Sequence, residues 1–183
     1  DVYKRQILDI NKINSILDSL EIQKVNGILL DLGLSSFQLD SEDRGFSYKA
    51  DCDLDMRFDR SQKKSAFNIV NNMPEKMLAD LIYYNSEEKR SRAIARKIIS
   101  MRPINKVFDL VEAIKKSTPP FKRDKTISRV FQAVRISVNN ELEKLDHFLS
   151  TFYPRCCVIV IGVIIAFSSS VIVILHQLES HLL

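Results

Sequence analysis

The stretch Val25–Asp59, VNGILLDLGLSSFQLDSEDRGFSYKADCDLDMRFD, decides which fold this sequence predicts. Its apolar run from Gly27 to Leu32 lacks the alternation of a half-exposed strand. Such a run is typical of a strand buried on both faces, as at the centre of a parallel α/β sheet. Asp31 interrupts the run, and Gly33 opens a long polar segment. Since open parallel sheets bind ligands beyond the carboxyl ends of their strands, the sequence predicts a crevice at Asp31.

The residues after this strand supply short polar groups for such a crevice. Ser35, Ser36 and Gln38 follow the turn that Gly33 permits, and each carries a hydrogen-bond donor or acceptor. The simpler alternative is a strand that ends in an Asx-type turn.

Outward from this strand, the chain is mostly helical. Residues 7–24 carry isoleucines and leucines at helical spacing. The same periodicity, with prolines as punctuation, predicts helices over 65–73, 75–84, 87–101, 107–117 and a long helix over 128–151. The order of strand, several helices and terminal strand predicts an α/β fold with a helical insertion.

The composition is compatible with several functions. The 183 residues are 45% hydrophobic and 27% charged, typical of a globular chain, and the net charge of +4 permits an anionic partner. Three cysteines and three scattered histidines favour free thiols in a reducing cytoplasm, and we expect no metal site.

Basic residues are concentrated in two places. Lys89, Arg92 and Arg96 share one predicted helix face, and a second cluster comprises Lys122, Arg123, Lys125 and Arg129. Both clusters could track phosphates, or they could be ordinary solvated faces.

Both ends of the chain call for separate interpretations. DVYKRQ, residues 1–6, back-translates to a transposon end used in sequencing libraries, so we interpret it as an adapter artefact. Residues 156–175 carry no charge over about 20 positions, long enough for a tail anchor. Their β-branched composition and the repeated VIVI at 158–161 and 171–174 favour buried strands instead, so a membrane partner is not expected.

Three segments together resemble the bacterial 16S ribosomal RNA cytosine-N4 methyltransferase H family. They are GILLDLGLSSFQLDSEDRGFSY with LDMRFD, then SEEKRSRAIARKI, and SRVFQAVRISVNNELEKL. The resemblance implies a partial Rossmann-like class I methyltransferase sheet over 7–60 and 127–183, with an inserted helical RNA-recognition domain over 61–126. It implies S-adenosylmethionine as cofactor and, as substrate, the exocyclic N4 of a decoding-centre cytosine in 16S rRNA of the small ribosomal subunit.

The resemblance also assigns residues. Asp31 and Gln38 match positions that contact the methyl donor, and we hypothesise that Asp31, Ser35 and Ser36 form the catalytic acceptor loop. Our candidates for RNA contact are Arg57, Arg92, Arg96, Arg129 and Arg135.

The family's glycine-rich donor loop would precede residue 7, so we expect this fragment to be inactive by itself. Two other functions remain open: a non-catalytic RNA-binding module and a tail-anchored membrane protein.

Overall fold

The structure, a computed structural model, describes residues 10–31, 34, 43–152 and 155–165. Within these ranges it contains seven α-helices, two strands and two short 3-10 helices. In chain order the helices and strands are α1 (Ile13–Ser19), β1 (Val25–Asp31), α2 (Ala66–Asn72), α3 (Glu75–Ser86), α4 (Ser91–Ser100), α5 (Val107–Ser117), α6 (Arg123–Asn139), α7 (Glu141–Phe152) and β2 (Cys156–Ile165). The 3-10 helices are Ile10–Lys12 and Pro120–Lys122.

The two strands pair in parallel. Gly27 lies opposite Ile161 and Asp31 opposite Ile165, with a register shift between Val25 and Gly27. Parallel strands need a crossover connection, and here the crossover contains α2 to α7. The predicted strand is present as β1, whereas a sheet wider than this pair remains a prediction.

The larger hydrophobic core lies among α2 to α6. α3 packs against both α4 and α6, and α4 packs against α5. On α6, Val130, Val134 and Val138 recur at every fourth position and are buried in this core, as expected for one face of a helix. The predicted helix over 107–117 is confirmed at both ends, with Asp109 Oδ2 accepting from the Lys106 backbone N–H at 2.9 Å.

The segment before α2 belongs to the same core. Phe46, Leu54 and Met56 are buried in it. The Leu54 N–H donates to Asn105 O at 3.2 Å. Gly45 adopts a φ of +71°, and a Cβ there would lie 2.8 Å from Asp53 O, so only glycine fits. These long-range contacts give an irregular segment a defined path.

A smaller core joins α1 to α7. Leu17 of α1 is buried with Leu145, Phe148 and Phe152. The rings of Phe148 and Phe152 stack with centroids 4.9 Å apart. The segment that leads into β1 is therefore packed against the helix that leads into β2.

The single long helix predicted over 128–151 is wrong. α6 begins earlier, at Arg123, and ends at Asn139; Asn140 has a φ of +50°, and α7 begins at Glu141. Asparagine tolerates this left-handed conformation better than most residues. The break lets α6 pack in the larger core and α7 in the smaller one.

The predicted inserted domain, residues 61–126, has boundaries that remain predictions. Residues on both sides of them, Phe46 to Met56 and Ile127 to Val138, share the larger core with α2 to α5.

Across the described part of the chain, no helix is long and apolar enough to cross a membrane. The second VIVI block lies outside the described residues.

Candidate functional site

The carboxyl edge of the strand pair is the first candidate site. Asp31 is the last residue of β1 and lies beside Ile165, the last residue of β2. Asp31 therefore ends a parallel strand, as predicted. Ser35, Ser36 and Gln38 lie outside the described residues.

The segment that follows this edge in the chain, residues 43–62, is tied to the end of α6 by Asn139. The Asn139 side chain, 3% exposed, accepts from the Phe58 N–H at 2.7 Å and donates to Met56 O at 2.8 Å. It also donates to Arg135 O at 3.0 Å. These contacts give Asn139 a packing role.

Arg57 supports the same segment from within. Its guanidinium pairs with Asp55 and donates to Arg60 O at 2.9 Å and Gln62 O at 2.7 Å. The hydrogen bond that Arg57 donates to Asp55 raises the pKa of Arg57. Three acceptors thus engage this predicted RNA-contact residue inside the protein.

Two further predicted RNA contacts are held by carboxylates. Arg135 pairs with both oxygens of Glu141, at 2.8 and 3.1 Å, across the break between α6 and α7. Arg129 lies 3.6 Å from the buried Glu88, whose other oxygen accepts from the Arg90 N–H at 3.0 Å. These cations offset charges of the protein itself.

A groove of about 480 Å³ forms where α4, the end of α5 and the start of α6 meet. Six cationic residues and no acidic residue line it; we call it the basic groove. Its lining residues are Arg90, Ala93, Arg96, Lys97, Lys115, Lys116, Ser117, Thr118, Pro119 and Arg123.

Few of these charges are neutralised. Arg96 lies 3.5 Å from Glu75, and Lys115 lies 3.6 Å from Glu112, both on exposed surface where ion pairs are weak. Within the described ranges, no acidic side chain pairs with Arg90, Lys97, Lys116 or Arg123. The groove therefore presents a concentrated positive charge.

The comparison with known families decides the ancestry. A model of the MraW methylase family matches residues 5–172. The chain belongs to the MraW methylase family. The resemblance noted in the sequence is thereby confirmed, and the family is one of methyltransferases, for which a class I methyltransferase fold is expected.

Curated relatives of the MraW family agree. Three proteins called ribosomal RNA small subunit methyltransferase H are 48% identical over 139 residues (Thermosipho africanus), 49% over 142 (Kosmotoga olearia) and 45% over 143 (Mesomycoplasma hyopneumoniae strain 7448). These alignments cover 74%, 75% and 77% of this chain and 48% of each relative. The chain thus spans about half the length of the relatives it matches.

Sequence reasoning located only part of the basic groove in this MraW-family chain. Of the two predicted clusters, only Arg96 and Arg123 line it, whereas Arg92 is exposed on α4 outside the lining. Lys115 and Lys116 were missed, although two lysines in the last turn before Thr118-Pro119 mark a helix end. The sequence could not predict that the end of α5 lies beside α4, because the two helices meet only through tertiary packing.

The described residues contain no candidate metal site. Across them, no group of three or more histidine, cysteine, aspartate or glutamate side chains is arranged to hold a metal ion. Cys52 is a free thiol whose pKa is raised by burial, which keeps it protonated and a poor ligand or nucleophile.

Proposed function

We propose that this MraW-family chain is part of an enzyme that methylates the exocyclic N4 of a decoding-centre cytosine in 16S rRNA. The observation that carries the proposal is Asp31 at the carboxyl edge of a parallel strand pair, within a methylase family. The relatives' names favour rRNA of the small ribosomal subunit as the substrate. The enzyme would act in the cytoplasm, where these subunits assemble.

The strand edge fits S-adenosylmethionine as methyl donor. Asp31 ends a parallel strand. Such sheets bind ligands in the crevice beyond the carboxyl ends of their strands, where a carboxylate could accept hydrogen bonds. We assign Asp31 and Gln38 to hold the donor. When bound, it supplies a methyl group on a positively charged sulfur that is already a good leaving group.

The acceptor amine sets the remaining requirement. The lone pair of cytosine N4 is delocalised into the ring, so the amine is a weak nucleophile that must be aligned with the methyl group. Asp31, Ser35 and Ser36 would accept hydrogen bonds from its N–H groups and stabilise the positive charge that develops on the nitrogen. Alignment and hydrogen bonding carry the methyl transfer, and the proton that the methylated nitrogen then loses would pass from these acceptors to solvent, without a strong general base.

The helical part would hold the flanking RNA, since a base in folded RNA must be unstacked before it can enter the site. Arg92 and Arg96 are exposed and suited to direct phosphate contact. Arg57, Arg129 and Arg135 would act by positioning residues 43–62 and the ends of α6. On packing, we propose that this part spans about residues 43–139.

The test is a chimera in which the 139 aligned residues of this chain replace the matching 48% of the Thermosipho africanus relative. It is expressed in bacteria that lack their own N4-cytosine methyltransferase, and 16S rRNA is digested and analysed by mass spectrometry. We expect N4-methylcytidine to appear in the decoding-centre fragment. A folded chimera that binds S-adenosylmethionine yet leaves this fragment unmethylated would overturn the proposal.

The matched variant is Asp31→Asn in the same chimera. Replacing the carboxylate by an amide preserves its size and removes its charge, so we expect donor binding and methylation to fall together. Calorimetric titration with S-adenosylmethionine gives the first quantity and the rRNA digest gives the second. Unchanged donor affinity would remove Asp31 from the binding site.

The basic groove favours a second candidate, a non-catalytic RNA-binding module. This function predicts RNA binding without donor binding, both in the chain and in the chimera. Donor-dependent methylation by the chimera excludes it.

A further inference from the structure

The basic groove carries features beyond its charge. Thr118, which lines it, is 5% exposed, and its Oγ1 atom has no hydrogen-bond partner among the described residues. A buried hydroxyl without a partner is uncommon and costs free energy. The backbone carbonyl of Ser117 beside it accepts twice from Arg90, at 3.0 and 2.8 Å, which fixes that guanidinium at the groove.

An exposed aromatic ring adjoins the groove. Phe121 lies in the 3-10 helix between two lining residues, Pro119 and Arg123, and is 82% exposed. At this exposure the ring is accessible to a planar ligand group. The Lys122 ammonium lies 5.4 Å from the ring centroid, which places a further cation at the same edge.

We propose that the basic groove binds the phosphate backbone of single-stranded RNA and that Phe121 stacks on a neighbouring unstacked base. Proteins that bind single strands combine a cationic groove for phosphates with aromatic platforms for bases. This pairing of features favours RNA over an acidic protein, because a single strand supplies both phosphates for the groove and an unstacked base for the ring. The proposal deepens the proposed function, on which its choice of rRNA as the natural partner rests.

Salt dependence separates the two kinds of contact. Each phosphate contact with a single strand contributes about 0.7 to the slope of log affinity against log salt concentration. Base stacking releases no counterions and leaves the slope unchanged. A variant that removes a charge should therefore change the salt slope, whereas a variant that removes the ring should change only the affinity.

The experiment measures binding of the 183-residue chain to a fluorescein-labelled oligouridylate of about twelve nucleotides, by anisotropy between about 50 and 200 mM KCl. The double variant Lys97→Gln/Lys116→Gln should lower the slope by about 1.4. Phe121→Ala should weaken binding about fivefold or more with no change of slope, and Phe121→Trp should restore it.

The matched control is Lys63→Gln. Its neighbour Lys64 donates to Ser137 O at 2.8 Å, which places this surface near the far end of α6. The start of α6 at Arg123 is about 21 Å away along the helix axis. Lys63→Gln should leave both slope and affinity as in the unaltered chain.

An unchanged slope in the double variant, with its helical circular dichroism intact, would overturn the groove assignment. Equal binding of an oligoglutamate of the same length would also overturn it, in favour of an acidic protein partner. Because this assay contains no methyl donor, its outcome is independent of the chimera test. Groove binding without methylation would refute the enzyme proposal alone, and methylation without groove binding would refute the groove alone.

Discussion

At the scale of single residues, Asn139 illustrates how one side chain orders a segment distant in sequence. Its amide bonds to Met56 O and the Phe58 N–H, more than eighty residues earlier in the chain. A carboxamide both donates and accepts, which an aspartate or a leucine cannot do. Residues 43–62 are thereby attached to the end of α6.

Asn139→Ala should lower the free energy of unfolding by about 2 to 4 kcal/mol, because one buried and one partly buried backbone group lose their partners. Urea denaturation followed by circular dichroism measures the change. The control is Asn140→Gly, which suits the left-handed φ of +50° and should change stability little. Equal losses in the two variants would contradict the role assigned to Asn139.

Two carboxyl groups make the 43–62 segment sensitive to acid. The hydrogen bond from Arg60 lowers the pKa of Asp43 from its ordinary value, and hydrogen bonds from Ser61 lower the pKa of Asp59. A lowered pKa in the folded state means that each ionised group favours folding above its unfolded pKa of about 3.9. That contribution is lost as pH falls through the folded value.

We therefore expect the urea midpoint to fall as the pH drops below about 4, and to fall less in Asp43→Asn/Asp59→Asn. The measurement is a series of urea titrations at fixed ionic strength. A variant with the same acid dependence as the unaltered chain would show that other carboxyl groups are responsible.

At the scale of elements, the break between α6 and α7 separates two packing tasks. Arg135 near the end of α6 and Glu141 at the start of α7 form a two-pronged ion pair across Asn140, with side chains 16% and 20% exposed. Partial burial and paired geometry make such a contact stronger than a typical surface pair. It holds the angle between the helices.

Arg135→Gln should lower the free energy of unfolding by about 1 to 2 kcal/mol, since Glu141 loses a charged, hydrogen-bonded partner. Thermal and urea unfolding provide the measurement, with Arg92→Gln as the control because Arg92 is exposed on α4. If Arg92→Gln were as destabilising, the loss could not be assigned to the ion pair. Increased helical content in Arg135→Gln would mean that the break had closed into one helix.

At the scale of the whole molecule, the described residues bury two separate apolar clusters. One lies among α2 to α6 and residues 46–56, and the other joins α1 to α7 beside the strands. The basic groove lies on the surface of the helices that form the larger cluster. The smaller cluster contains α7, which leads into β2.

Phe148→Ala should remove about 3 to 5 kcal/mol from the smaller core, because a large ring is deleted from a fully buried site. Hydrogen exchange read by mass spectrometry should show faster exchange in α1 and α7 and little change in α3 and α4. Leu110→Ala in the larger core is the reciprocal variant. Uniform acceleration in both variants would show that the two cores unfold as one unit.

The amino-acid sequence by itself determined the elements governed by local physics. The strand that ends at Asp31, the helix over 107–117 and the family motifs required no tertiary information, because an apolar run and helical periodicity are properties of neighbouring residues. The predicted 128–151 helix failed because a single asparagine can continue or end a helix, and the choice depends on which core each half enters.

Tertiary structure alone decided the basic groove and the roles of Arg57 and Arg135. Lys115 and Lys116 meet Arg90 and Lys97 only because α4 and α5 pack side by side. Whether an arginine faces solvent or an internal carboxylate depends on residues that folding brings to it, as Asp55 and Glu141 show. Charge and periodicity are local properties of the sequence, whereas the partner of each charge is a property of the packed chain.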